Sequence, residues 1–147
     1  MDIEKIEELS KKEYNCSQTV FAYFAEDLGM DQKLAMKTAT AFERGMFKSA
    51  TCGSLTGAYM ALGLKYGSTD LEDKLRLEEM VHKLDEEFEQ RNKSKQCREL
   101  LGLDINTEEG MKEALEKDLL TSVCGACMSS SIEITEKIMG EYDENKK

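Results

Sequence analysis

The sequence predicts an all-α, single-domain bundle of about seven or eight helices around one buried helix of small residues. Three observations point there. The 147 residues contain no proline, the residue that breaks helix interiors. No segment alternates apolar and polar residues as a half-buried strand does. Apolar residues recur instead at three- and four-residue spacing between capping residues. Residues 1–147 suit one hydrophobic core and are too few for two ordinary ones.

The first helix is expected from about Asp2 to Lys12, with Ile3, Ile6 and Leu9 on one face. A second begins at Asn15, where Gln18 completes an Asn-x-x-Gln capping pattern. It carries Val20, Phe21, Phe24 and Leu28 before Gly29 stops it. Asp31 caps a third, with Leu34, Ala35, Ala39 and Phe42 inward. The fourth covers about Ala50 to Lys65 and ends at Gly67; it is almost uncharged and must be buried on most sides. Gly53, Gly57 and Ala61 recur every four residues along it. Each glycine costs a helix about 1 kcal/mol relative to alanine, so two on one stripe imply a backbone packed close against it. Thr69 opens a fifth helix as a capping box with Glu72, running to about Arg91 with Leu71, Leu75, Leu84 and Phe88 inward. A short helix holds Cys97, Leu100 and Leu101, another spans about Glu108 to Leu119, and the last runs from about Val123 to Met139. The charged tail, residues 140–147, is expected to fray.

Thirty acidic against twenty basic side chains leave a net charge of −10. That balance argues against gripping nucleic acid or docking on anionic lipid. No run approaches a membrane span, and Met1 to Lys12 is too charged for a secretory signal. A cytoplasmic location is the expectation. His82 is the one histidine; it lies in a charge-dense helix and reads as a surface residue. Asp104 to Glu108 mimics a calcium loop, but Gly110 falls one place late and Leu115 stands where the bidentate acid belongs. No phosphate loop, Ser–His–Asp set or dinucleotide fingerprint occurs.

Five cysteines remain. In a reducing compartment they are more often ligands or redox groups than structural bridges. Asn15 precedes Cys16, Ser49 lies three before Cys52, Ser94 three before Cys97, and Thr121 and Ser122 just before Cys124. If these are N-caps, four thiols occupy the first turns of four helices, where free N–H groups favour the thiolate. Cys52 is expected to be the most activated, with Arg44 and Lys48 adding positive potential. Two constellations could use such thiolates. Four could ligate an iron–sulfur cluster, or pairs could cycle between dithiol and disulfide, for which Cys124-Gly125-Ala126-Cys127 supplies a CxxC. Zinc is the alternative metal, although its sites favour two close pairs and the sequence has one. Met128 stands where a c-type haem attachment needs histidine.

Four blocks carry a family resemblance. Tyr14-Asn15-Cys16-Ser17-Gln18, Gly45-Met46 with Cys52-Gly53-Ser54-Leu55-Thr56-Gly57-Ala58, and Leu62-Gly63-Leu64-Lys65-Tyr66-Gly67 form the first half. Cys97-Arg98-Glu99-Leu100-Leu101-Gly102, and Cys124 with Met128, Ser131 and Ile134, follow. Together they resemble the redox-active family labelled by its cysteine pattern, C_GCAxxG_C_C, over about residues 5 to 140. The resemblance implies a small helical redox protein of anaerobic microbes. It carries the family's cysteines onto Cys16, Cys52, Cys97 and Cys124, as redox thiols or as cluster or metal ligands. Cys127 is outside the pattern, either an alternative ligand or a group at the margin of the site. The family often has a glycine-rich run before its second cysteine, where this chain reads Phe42-Glu43-Arg44-Gly45-Met46-Phe47; Ser54 replaces the usual alanine. The leading expectation is electron transfer or redox chemistry at clustered thiols, with a partner redox protein, no nucleic acid and no membrane; a homo-oligomer is compatible. The alternative is a non-catalytic zinc-binding or interaction module with structural cysteines.

Overall fold

Helix propensity, caps and apolar stripes lay out the chain in a computed structural model that describes residues 1–11 and 15–145. The expectations for Lys12, Tyr14, Lys146 and Lys147 lie outside those residues. Among the described residues there are eight α-helices and no strand: α1 (Ile3–Ser10), α2 (Cys16–Ala25), α3 (Gln32–Ala39), α4 (Gly53–Tyr66), α5 (Leu71–Asn92), α6 (Cys97–Leu101), α7 (Glu108–Glu116) and α8 (Leu119–Asn145). Two of the anticipated caps form: Asp31 accepts from Leu34 N–H, and Asn15 and Gln18 close a reciprocal capping box. Asp2, expected as the first residue of its helix, is instead its N-cap and accepts from Lys5 N–H.

The nearly uncharged α4 lies at the centre, buried along Gly53 to Ala58 and again at Ala61, Leu62 and Tyr66. It packs against α2, α5 and α8. The glycine stripe explains how α2 comes so near. A Cβ built on Gly57 would stand 2.6 Å from the Ser17 carbonyl oxygen, and one on Gly53 2.9 Å from Ser17 N. Glycine is therefore required at both positions by a neighbouring backbone. Val20, Leu55, Leu62, Met80, Leu84, Phe88, Ile132 and Ile138 fill the main core around this pair. A smaller core of Cys97, Leu101, Ile105 and Ala114 lies beneath α6 and α7, and Val123 packs against both.

Several element details differ from expectation. Leu71 and Leu75 are exposed (71% and 56%), as are Ile3 and Leu34; the inward face of α5 is Met80, Leu84 and Phe88. Thr69 does not cap α5. Asp70 holds the cap position, while Ser68 Oγ accepts from Asp70 N and donates to Asp73. The last helix begins at Leu119 rather than Val123, because α7 ends at Glu116 and Asp118 turns the chain with φ 55°. The helix continues past residue 140 to Asn145, and Asp143 accepts from Lys65 Nζ (2.6 Å) and from the Tyr66 hydroxyl (2.9 Å). His82 is exposed, as expected. Among the described residues no helix is long and apolar enough to cross a membrane.

Candidate functional site

The stretch before α4 winds the wrong way for L-residues. Arg44, Gly45, Met46, Phe47 and Ser49 all have φ between 52° and 64°. A left-handed non-glycine residue costs roughly 1–2 kcal/mol, and four consecutive positions of the missing glycine-rich run, Arg44 to Phe47, fall here, three of them not glycine. The segment is held by a polar knot. Asp104 accepts from Ser49 Oγ (2.6 Å) and from Asn106 N (2.9 Å), and Asn106 Nδ2 donates to Arg44 O and to Ser49 Oγ. These bonds hold the Asp104 carboxyl below its ordinary range. Ser49 thus ties the loop to residues 104–106 and is not a helix cap.

Beyond the knot, the chain runs extended and pairs briefly with the segment before α6. Thr51 and Gln96 form an antiparallel bridge, Cys52 N donates to Lys95 O (2.8 Å), and Cys97 N donates to Ala50 O (2.6 Å). The bridge sets Cys52 and Cys97 beside one another at the heads of α4 and α6. The close approach of α2 at Gly53 adds Cys16: a Cβ on Gly53 would lie 3.2 Å from Cys16 Cβ. Cys124 and Cys127, one turn apart on α8, complete the ring. All five cysteines line one cavity of about 260 Å³, whose remaining wall is largely apolar, including Leu100, Ile105, Leu120 and Met128. Asn15, Glu43 and Arg44 also line it.

Placement agrees with the cap argument at Cys16 and Cys97, the first residues of α2 and α6. Cys52 is itself the N-cap residue of α4, and Gln96, not Ser94, precedes α6 in that position. Cys124 stands in the second turn of α8, so the helix terminus does not activate it as expected. Cys127 is not marginal. It is 2% exposed and hydrogen-bonds to Cys52.

The five thiols sort electrostatically into two coupled pairs and one single group. In the first, Cys127 S–H donates to Cys52 and draws that thiol down to about 7 against the cost of burial. The Ser54 hydroxyl, otherwise without a hydrogen-bond partner, and the Ser54 and Leu55 N–H groups assist. Activation of Cys52 therefore comes chiefly from its partner thiol and the α4 terminus, rather than from Arg44 and Lys48. Cys127, as donor to a thiolate in a buried place, is raised. In the second pair Cys16 S–H donates to Cys124, which lowers Cys124 and raises Cys16. Cys97 has no such partner and is pushed up to about 12, first by burial and then by the neighbouring Cys52 and Cys124 charges. Among the described residues no three His, Cys, Asp or Glu side chains stand so as to hold one metal ion together.

The pairing of Cys127 with Cys52 had a sequence signal, the i, i+3 spacing from Cys124 that puts both on one helix face, but nothing local could assign its partner. The Asp104–Asn106 knot gave none beyond a rejected calcium loop. The family model described as "Putative redox-active protein (C_GCAxxG_C_C)" matches residues 14–138, a span that includes every cysteine. No curated protein and no solved structure matches the chain.

Proposed function

We propose, from the premise that the chain belongs to the C_GCAxxG_C_C redox-active family, that it carries reducing equivalents as a dithiol/disulfide couple. The observation that carries this reading is the gathering of Cys52 and Cys127 on the wall of one cavity, where Cys127 draws the Cys52 thiol down to about 7 and keeps its own proton. That is the division of labour a two-thiol couple needs, because the thiolate is the nucleophile and the second thiol resolves the mixed disulfide. Cys52 attacks the disulfide of a partner, forming a mixed disulfide and releasing one partner thiolate. Cys127 then loses its proton and attacks Cys52 Sγ, releasing the second. The chain loses two electrons and its partner gains them. The partner is a thiol–disulfide protein, and the setting a reducing compartment such as the cytoplasm.

The test is redox equilibration against glutathione buffers, followed by alkylation and peptide mapping. A Cys52–Cys127 disulfide that forms reversibly, and its loss in a Cys127→Ser variant, are the expected results. Thiols that stay reduced across the whole range of buffers would overturn the reading.

A second reading, iron–sulfur or zinc ligation, draws support from five sulfur donors around one cavity. Thiolates suit both. It requires Cys16, Cys52, Cys97 and Cys124, with Cys127 as an alternative, to gather closer than they stand, so no step is assigned to a metal. Visible absorbance and metal content of an anaerobic preparation separate it from the first reading.

A further inference from the structure

The two thiol pairs differ in depth. Cys52 and Cys127 are 6% and 2% exposed, whereas Cys16 and Cys124 are only half-buried. The activated member of the shallower pair, Cys124, sits one helical turn from Cys127, the proton-holding member of the deeper one. All four thiols line one cavity, with Cys124 and Cys127 one turn apart on the same helix, and the mutual shifts of Cys16 with Cys124 and of Cys52 with Cys127 set each beside its partner. Cys97 has no hydrogen-bonded thiol partner in this series.

Resting on the dithiol reading, we infer that Cys16–Cys124 is an outer couple that meets the oxidant and passes its disulfide inward to Cys52–Cys127, so that each chain holds four electrons. In the outer step the Cys124 thiolate attacks a low-molecular-weight disulfide and expels one thiolate. Cys16 gives up its proton, attacks Cys124 Sγ and expels the second. The inward step exchanges one disulfide for another and needs no outside oxidant. Cys127 sheds its proton and attacks Cys124 Sγ, which frees Cys16. Cys52 then attacks Cys127 Sγ, which frees Cys124 as the thiolate. The proton shed by Cys127 ends on Cys16.

The transient Cys124–Cys127 bond is the demanding intermediate. Cβ atoms three residues apart on a helix lie about 5–6 Å from each other, and a disulfide needs about 3.5–4.5 Å. The first turns of α8 must open slightly for it to close. Gly125 lies between the two cysteines, and glycine lowers the cost of opening a helix. A Cβ built there would meet nothing within 4 Å, so packing does not require glycine at this position, in contrast to Gly53 and Gly57.

The experiment uses the fully reduced chain, one equivalent of glutathione disulfide, acid quenching at intervals, alkylation and peptide mapping. The Cys16–Cys124 disulfide is expected first, giving way to Cys52–Cys127 with no further glutathione released. With excess oxidant, two disulfides form and Cys97 alone is alkylated. Gly125→Ala is expected to reach the same end states with the inward step slowed about four- to fivefold, the factor set by the glycine–alanine difference in helix propensity. Cys52–Cys127 appearing from the outset, with Cys16 and Cys124 reduced throughout, would overturn the relay while leaving the dithiol couple standing. Wild-type exchange in Gly125→Ala would overturn the opening of α8. Failure of Cys52–Cys127 to form under any condition would instead sink the underlying couple.

Discussion

Replacing Gly57 by alanine tests the packing on which the whole site depends. The added Cβ would stand 2.6 Å from Ser17 O, 3.1 Å from Val20 Cβ and 3.2 Å from Phe21 N. Two of those three atoms are backbone and cannot rotate away. Ordinary contact begins near 3.5 Å, so α2 must move back by about 1 Å along the face where it meets α4. Overpacking of this kind costs about 1–3 kcal/mol, and alanine returns about 1 kcal/mol of helix propensity. Rigid backbone on the other side places the cost at the upper end, leaving a net loss of about 2 kcal/mol. For a chain of this length that lowers Tm by about 4–8 °C. Gly63, six residues on in the same helix, is the control, because a Cβ there meets nothing. Gly63→Ala keeps the propensity gain and is expected to raise Tm by a few degrees. Both are read by thermal and urea unfolding followed by circular dichroism, with an unchanged denaturant slope as the sign that the same state unfolds. A Gly57→Ala variant as stable as the natural chain would show that α2 does not press on α4, and the argument bringing Cys16 to Cys52 would go with it.

Alkylation of the reduced protein against pH, resolved by mass spectrometry, is expected to give Cys52 a midpoint near 7 and Cys97 one near 12, because the thiolate reacts and exists above each value. A Cys52 midpoint at or above the free-thiol value of about 8.5 would show that Cys127 does not donate to it. Phe47 is left-handed (φ 60°) and 51% exposed; Phe47→Gly relieves about 1–2 kcal/mol of strain against about 0.5–1 kcal/mol of added chain entropy. A net gain of about 0.5–1 kcal/mol in urea unfolding is expected, and a loss would mean that the segment is not held left-handed. Ser131 Oγ donates to the buried Ser54 carbonyl (2.6 Å) and ties α8 to the head of α4. Ser131→Ala is expected to cost about 1–2 kcal/mol, and an unchanged midpoint would remove that tie.

Much of the fold was legible because helix signals are local. The box at Asn15 and Gln18, the cap at Asp31 and the stop at Gly67 each depend on residues within one turn. The buried α4 was readable from its lack of charge and the close approach from its glycine spacing, since only tight packing compensates for glycine in a helix. Leu71 and Leu75 misled because an apolar side chain at a helix end carries no record of whether another element reaches it. Thr69 failed as a cap because Ser68 bonds Asp70 N and Asp73 in its place.

The sequence by itself determined an all-α chain and its family, and it placed Cys16, Cys52 and Cys97 at helix heads. It also marked Cys52 as the activated thiol. Only the tertiary structure decided the partners: Cys127 with Cys52, Cys16 with Cys124, and Cys97 with neither. The physical reason is range. A cap or a dipole acts within a turn of the residue that feels it, whereas a thiol–thiol hydrogen bond joins residues 75 or 108 places apart. Those separations are closed by a glycine contact between α2 and α4, a two-residue bridge before α6, and the path of α8 across them. Of these only the glycine contact leaves a mark in the sequence, at Gly53 beside Cys52, and it does not say which helix comes close.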